Sequence, residues 1–441
     1  MRRVMLVVPL TMALIAAACS SGGGSTNTSG SPGGSGPVEL TMWQGYTPPN
    51  GSDPANEYES LMKIIADYNA SQSKVHVTAQ YVNSDHALTK VETALQGNEQ
   101  PDITYQYGTN MPQIATAPKV VDLTSKVQES DFNWSDFFPG EQAVATVDGK
   151  VLGIPALVDN LAVVYNKDLF EQAHVPAPTA DWTWADFTAA SKSIAALSTP
   201  SKPIFGVAFP ADGSETTVWE YEAMLWEAGG DILNADNTQA AFNSPAGVRA
   251  LSVLQQLHQD NSAYLDYNPD AGKSENLFNS GNIGMMITGP WDLSSFPDVN
   301  YGVQVMPSFD AGGSHVPIAG PDNWVIFDNG QARVDAAWDF LKYLSSTQLL
   351  TQDAMATGHL PLRASVEQDP AFAGFDKKYP GVGTFVDNLV NVQKARPQVP
   401  QYPQISSALG LAVVNVLLGK GEPQAELDNA AQTANGALAA P

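Results

Sequence analysis

Six histidines (His76, His86, His174, His258, His315 and His359) and one cysteine, Cys19, are the residues from which a metal centre or a reactive nucleophile would have to be built. None of the histidines falls at an HExxH or other close metal-ligand spacing. No GxSxG elbow, P-loop or GxGxxG loop opening a helix occurs. Among 46 Asp and Glu residues, a pair at the spacing used for glycoside hydrolysis arises readily by chance, so carboxylates alone do not argue for catalysis. The expectation is a protein that is not an enzyme and needs no metal or cofactor. What remains is a polar and aromatic set, Trp43, Gln44, Tyr46, Asp85, His86 and Tyr107, suited to holding a ligand rather than transforming it.

The elements that must position this set can be read from periodicity. Val38 to Trp43 alternates as a strand and breaks at Gln44-Gly45-Tyr46. Leu61, Ile64, Ile65 and Tyr68 keep the i, i+3, i+4, i+7 spacing of a helix over 57–69. Val75 to Val82 is a second strand, Ala87 to Gln96 a helix, and Pro101 to Tyr105 a third strand. Alternating strands and helices predict an open α/β layer with a mostly parallel sheet, whose ligands bind at the carboxyl ends of the strands. A β-rich stretch over 147–165 follows. Helices are predicted near 184–196, 218–228, 245–259, 332–345, 404–418 and 423–440.

The N-terminus reads differently. Arg2 and Arg3 precede an apolar run from Val4 to Ala18, broken only by Thr11, which describes a signal peptide rather than a membrane span. Ser20 to Gly36 has the composition of a flexible tether. A lone cysteine between the two has no intramolecular disulfide partner. The pattern resembles a bacterial lipobox, although Ala16 stands where Leu is usual. It implies cleavage and acylation at Cys19, and hence a membrane-anchored protein outside the cell.

The formal net charge of −25 disfavours nucleic acid and other polyanions as partners. The hydrophobic fraction of 43% and nine tryptophans fit a globular chain long enough for two domains.

Several local strings stand out together: Pro101-Asp102-Ile103, Tyr165-Asn166-Lys167-Asp168-Leu169-Phe170, Thr183-Trp184-Ala185-Asp186-Phe187 and Gly229-Gly230-Asp231. Farther on come Phe278-Asn279-Ser280-Gly281, Gly284 to Trp291, Gly302-Val303 with Met306-Pro307, Gly358-His359-Leu360-Pro361, and Leu418-Gly419-Lys420. In this order they resemble the extracellular solute-binding proteins of bacterial ABC importers, in particular the sugar-binding family that includes maltose-binding protein. The resemblance covers 38 to about 435. It implies a two-lobed, type II periplasmic-binding fold with the ligand cleft between lobes. Residues 1–18 would be the signal and 19–36 the lipidated tether. Residues 38–157 with 320–358 would form lobe 1, and 160–318 with 362–441 lobe 2. Hinge crossings would fall near 156–162, 316–322 and 357–363.

A sugar site needs flat aromatic faces for the pyranose C–H surface and planar polar groups for its hydroxyls. By the resemblance, Trp291 in Gly-Pro-Trp matches the family's stacking tryptophan, and Trp219 falls where maltose-binding protein has a stacking tyrosine. Asp159 matches a hydroxyl-binding carboxylate, with Asn160 beside it. Trp43, Gln44, Asp85, His86, Tyr107, Gly320, Asn323, Trp324 and Arg363 complete the expected ligand set. Trp134, Trp182, Trp184 and Trp338 are expected to pack the core. Gln106 to Asn110 replace the Trp and charged residues of the maltose-binding loop, so maltose itself does not follow. The function implied is capture of a di- or oligosaccharide by a monomer that delivers it to the permease subunits of the importer. The alternatives are a glycerophosphodiester or phosphorylated polyol, held by Arg363 and His86, and a lipid-anchored carbohydrate hydrolase.

Overall fold

The computed structural model describes residues 36–49, 56–313, 315–391, 394 and 396–440. The expected signal segment, Cys19 and all of the tether before Gly36 lie outside the described residues. No helix among the described residues is long and apolar enough to cross a membrane.

Among the described residues, twelve strands follow in chain order: β1 (Val38–Gln44), β2 (Val75–Tyr81), β3 (Ile103–Tyr107), β4 (Thr146–Val147), β5 (Lys150–Val151) and β6 (Ile154–Leu157). They continue as β7 (Ala162–Asn166), β8 (Phe205–Pro210), β9 (Ala263–Asp266), β10 (Ile283–Thr288), β11 (Tyr301–Gln304) and β12 (Asp322–Ile326). Five form a first sheet in the order β2-β1-β3-β12-β6, and five a second in the order β11-β7-β10-β8-β9. β1 runs parallel to β2 and β3 because helices Asn56–Ser71 and Ser84–Gly97 carry the chain back to the same end each time. The first of these buries Leu61, Ile64, Ile65 and Tyr68, the predicted stripe. The second starts where the Asn83 side chain accepts the Asp85 N–H. It ends at Asn98 in the left-handed region, whose N–H returns to the Ala94 carbonyl. In the second sheet β8, β9 and β10 are parallel, while β7 is antiparallel to both β10 and β11.

All five residues of β7 are buried. Val163 and Tyr165 belong to one apolar core while Ala162 and Val164 belong to the other, as period-two geometry requires. Helices Trp184–Ala195, Glu215–Glu227, Pro245–Gln259, Tyr402–Leu417 and Pro423–Leu438 contribute to the core of the second sheet. Thr183 and Asp186 close a capping box on the first of these. Trp182, Trp184 and Trp338 are buried and Trp134 packs on the core, as expected.

The chain leaves the first sheet after β6, enters the second at β7, and returns between β11 and β12. The two passing segments pair with each other at Asn160 and Ala319, and the Gly320 N–H donates to the Asp159 carbonyl at 2.9 Å. A third segment lies against them, where the Leu360 N–H donates to Asp159 Oδ1 at 3.2 Å. Just beyond it, the stretch from Arg363 turns to the first-sheet side: Phe137 bridges Arg363, Ser365 donates to Asp136 at 2.5 Å, and Ser365 meets Thr347 at 2.7 Å.

Candidate functional site

The carboxyl ends of both sheets open on one cleft of about 380 Å³, a size typical of small-molecule sites. From the first sheet come Tyr46 just past β1, Tyr81 ending β2, Tyr105 and Tyr107 on β3, and Asp322 at the start of antiparallel β12. Facing them are Pro210, Asp266 and Thr288, the last residues of β8, β9 and β10. Asn56 donates to Ser294 at 2.8 Å, and both line the cleft.

Two tryptophans dominate the second-sheet wall. Trp219 and Trp291 stack with ring centroids 5.7 Å apart and 19° between planes. Gly289 makes this possible. A Cβ there would lie 1.8 Å from the Trp291 ring, so only glycine leaves the indole its place. Trp219 is carried by the first turns of helix Glu215–Glu227, where Glu215, Thr216, Trp219 and Glu220 all face the cleft. That is the i, i+1, i+4, i+5 face of a helix whose remaining residues up to Trp226 are buried.

Arg396 enters the same wall. It is buried, pairs with Glu215 at 2.8 Å, and lies 5.9 Å from the Trp219 ring. Gly320 lets both approach: a Cβ at that position would meet the Trp219 ring at 3.2 Å and Arg396 at 3.4 Å. Asp322 accepts the Tyr105 hydroxyl at 2.5 Å and the Gly108 N–H at 3.0 Å. Burial pushes its carboxyl up to about 6, against the opposing pull of Arg396. Among the described lining residues, Arg396 and His359 are the bases, set against nine carboxylates.

Asp159 lines the cleft, but its carboxylate is committed to protein. Oδ1 accepts Leu360 N–H, and Oδ2 contacts His359 Nδ1. His359 Nε2 lies 3.1 Å from Glu57 in an ion-pair contact without hydrogen-bond alignment. Burial lowers the His359 pKa, but Asp159 and Glu57 outweigh it and hold the ring well above its ordinary value.

Of the expected ligand set, Asp85, Tyr107, Asp159, Trp219, Trp291 and Gly320 line the cleft. Asp85 accepts the Tyr107 hydroxyl at 3.1 Å. The others lie elsewhere. Trp43 turns to the opposite face, packs with Val82, Leu88 and Val91, and has the Lys90 ammonium 4.9 Å from its ring. Gln44 is buried and accepts the Tyr46 N–H. His86 is exposed on the helix outside the cleft lining. Asn160 is buried, donates to the Phe385 carbonyl at 2.9 Å, and accepts from Asn388 at 3.2 Å. Asn323 points away toward Gly153, while Trp324 backs the wall, edge-on to Tyr46 and Tyr105. Arg363 is buried on the first-sheet side. It donates to the Phe132 and Asn133 carbonyls, sits 3.7 Å from Asp136 and covers the Phe137 ring at 3.9 Å. It is therefore neither a cleft residue nor a bridge between the sheets.

Sequence reasoning missed Glu215, Glu220, Asp292, Asp322 and Arg396. A usable signal existed for two of them, since Glu220 and Asp292 directly follow the stacking tryptophans. No periodicity marks Arg396, which lies in a loop.

A two-sheet protein with a closed-in cleft at both sets of strand ends is a ligand-binding protein of the hinged, two-lobed class. The chain belongs to the bacterial extracellular solute-binding protein family, whose model matches residues 51–349. It is 29% identical over 299 residues to a binding protein of Brucella abortus (strain 2308), covering 67% of this chain and 69% of that one. It is 22% identical to the sn-glycerol-3-phosphate-binding periplasmic protein of the same organism, over 91% of this chain and 94% of the relative. Among solved structures, the cyclic alpha-maltosyl-1,6-maltose binding protein from Arthrobacter globiformis matches with a TM-score of 0.71 and 28% identity. That match covers 91% of this chain and 99% of the other.

Proposed function

We propose that this solute-binding protein captures a sugar in its cleft and delivers it to the permease subunits of an ABC importer. The single observation that carries the sugar reading is the stacked Trp219–Trp291 pair beside a wall of tyrosines and hydrogen-bonding carboxylates. Indole faces bury the apolar side of a pyranose ring, and carboxylates accept its hydroxyls through charge-assisted bonds. The likeness to a maltosyl-maltose binding protein supports it. Ligand touching both sheets favours the closed form by its differential affinity for that form. The lobe division is proposed to follow the sheets, with 38–157 and 320–358 in one lobe and 160–318 with the two C-terminal helices in the other. The protein is read as a monomeric binder without turnover.

A phosphorylated ligand, as the sn-glycerol-3-phosphate-binding relative takes, fits the cleft less well. Arg363 and His86 are not in it, and Arg396 is already paired with Glu215. A thermal-shift screen across mono- and oligosaccharides and polyol phosphates separates the two, since a ligand of the native state raises Tm by mass action. A shift by glycerol 3-phosphate and by no sugar would overturn the sugar reading, and product release from glycosides would overturn the absence of turnover.

Anchoring through Cys19 is part of the same proposal. Its support is the short apolar segment, the cysteine and the Ser/Gly tether. Labelling of the membrane fraction by a fatty-acid probe, abolished in Cys19→Ser, is the expected result.

A further inference from the structure

We propose that Glu220 touches the bound sugar directly and acts there as a hydrogen-bond donor, giving its carboxyl O–H to an acceptor oxygen of the ligand. The inference rests on the sugar-binding reading and deepens it, by fixing the direction of one hydrogen bond in the site.

Glu220 follows Trp219 on the cleft face of helix Glu215–Glu227, lines the cleft and is 8% exposed. Its Oε2 is buried and makes no hydrogen bond. An ionised carboxylate spreads its charge over both oxygens, and sealing one of them away without a donor is far costlier than burying a carbonyl oxygen in the same place. The neutral acid is the form this burial suits. Oε2 then serves as the carbonyl, and the proton sits on Oε1, the oxygen left to the cleft.

The surroundings act in the same direction. The charged groups lining this wall are Glu215 on the same helix, Asp266 ending β9, Glu275 on helix Lys273–Asn279, Asp292 in the turn Pro290–Ser295, and Arg396. Burial first, and then the charges of Asp292 and Glu275, push the Glu220 carboxyl well above the usual range. A carboxylic acid kept neutral in this way is a strong donor. Each sugar hydroxyl gives one hydrogen bond and takes two, so acceptors alone leave ligand lone pairs unmet. Glu220 supplies a donor beside the indole on which the ring stacks.

The test takes the tightest of glucose, galactose, maltose, cellobiose and trehalose and compares wild type, Glu220→Gln and Glu220→Ala by calorimetry at pH 5, 7 and 9, with a melting curve for each protein. Glu220→Gln, which keeps a donor in the same shape, should bind within about threefold of wild type at pH 7, and Glu220→Ala about fivefold or more weaker. The ratio of wild-type to Glu220→Gln affinity should hold from pH 5 to 7 and never rise at higher pH, because ionisation only removes the donor. Taking the ratio cancels the titration of the other cleft groups. An accepting carboxylate would instead bind about tenfold or more tighter than Glu220→Gln at pH 7 and begin to lose that lead toward pH 5. Infrared difference spectra of wild type against Glu220→Gln should show the carbonyl band of a protonated carboxyl, shifted when the sugar binds. A missing or unmoved band, a tenfold wild-type lead over a folded Glu220→Gln, or unchanged affinity in a folded Glu220→Ala overturns the donor role and leaves the sugar reading standing. Binding of glycerol 3-phosphate and of none of these sugars overturns both.

Discussion

Replacing Trp291 by alanine tests the cleft at its flattest surface. A buried aromatic side chain covers about 150–250 Å², but one face of this indole is taken by Trp219, 5.7 Å away and nearly parallel. The ligand therefore gains about a third to a half of that area. At about 25 cal/mol per Å² this is roughly 2 kcal/mol, or about 30-fold in Kd. Trp219, uncovered by the change, offers its own face in partial compensation, which sets the lower bound near tenfold. Trp291 is only half-buried, so the fold should lose little. The assay is calorimetry with the tightest sugar from the screen, on wild type, Trp291→Ala and Trp291→Phe, with Tm recorded for each. Phenylalanine should recover part of the loss. A Kd within twofold of wild type for a folded Trp291→Ala would refute the stacking role.

Gly289→Ala should weaken the same ligand by about tenfold without removing any contact atom, because the new methyl takes the place of the Trp291 ring; calorimetry beside a melting curve separates this from unfolding. Arg363→Ala should destabilise the protein by about 2–4 kcal/mol in urea titration, leaving the buried Phe132 carbonyl and the part-buried Asn133 carbonyl without their donor, and leave Kd unchanged. Glu222 is fully buried and burial pushes its carboxyl up to about 8. The folded state then holds its proton while the unfolded chain loses it near 4.5, so stability falls as pH rises from about 4.5 to 8, by at most roughly 5 kcal/mol. Tm should accordingly be higher at pH 5.5 than at pH 8, and Glu222→Gln should flatten part of that slope.

Periodicity located the elements well because their apolar stripes are buried on one side only. The Leu61, Ile64, Ile65, Tyr68 stripe and helix 245–259 match the structure closely. The ordered strings gave the family and the two cleft tryptophans. Residue-level placement failed where a strand offers two faces and both are covered. Trp43 near the end of β1 and Trp324 in the middle of β12 are both aromatic, yet each turns into packing, and period-two alternation does not say which face is the cleft. The arginine was misassigned for a related reason. Arg363 lies two residues after Pro361 and Arg396 directly before Pro397, both in irregular chain, and only the tertiary path brings the second beside Trp219 and the first beside Phe137.

The gathering of three passing segments on Asp159 has a mechanical consequence. With Gly320, His359 and Leu360 all fastened to one buried residue, the two sheets share a pin. Sliding would break every fastening at once, whereas pivoting disturbs each only slightly. Displacement then grows with distance from the pin, least at its carboxylate and greatest at the outer lips. A ligand held close to that point works a lever, and a small change of fit beside it becomes a large change of profile at the rim.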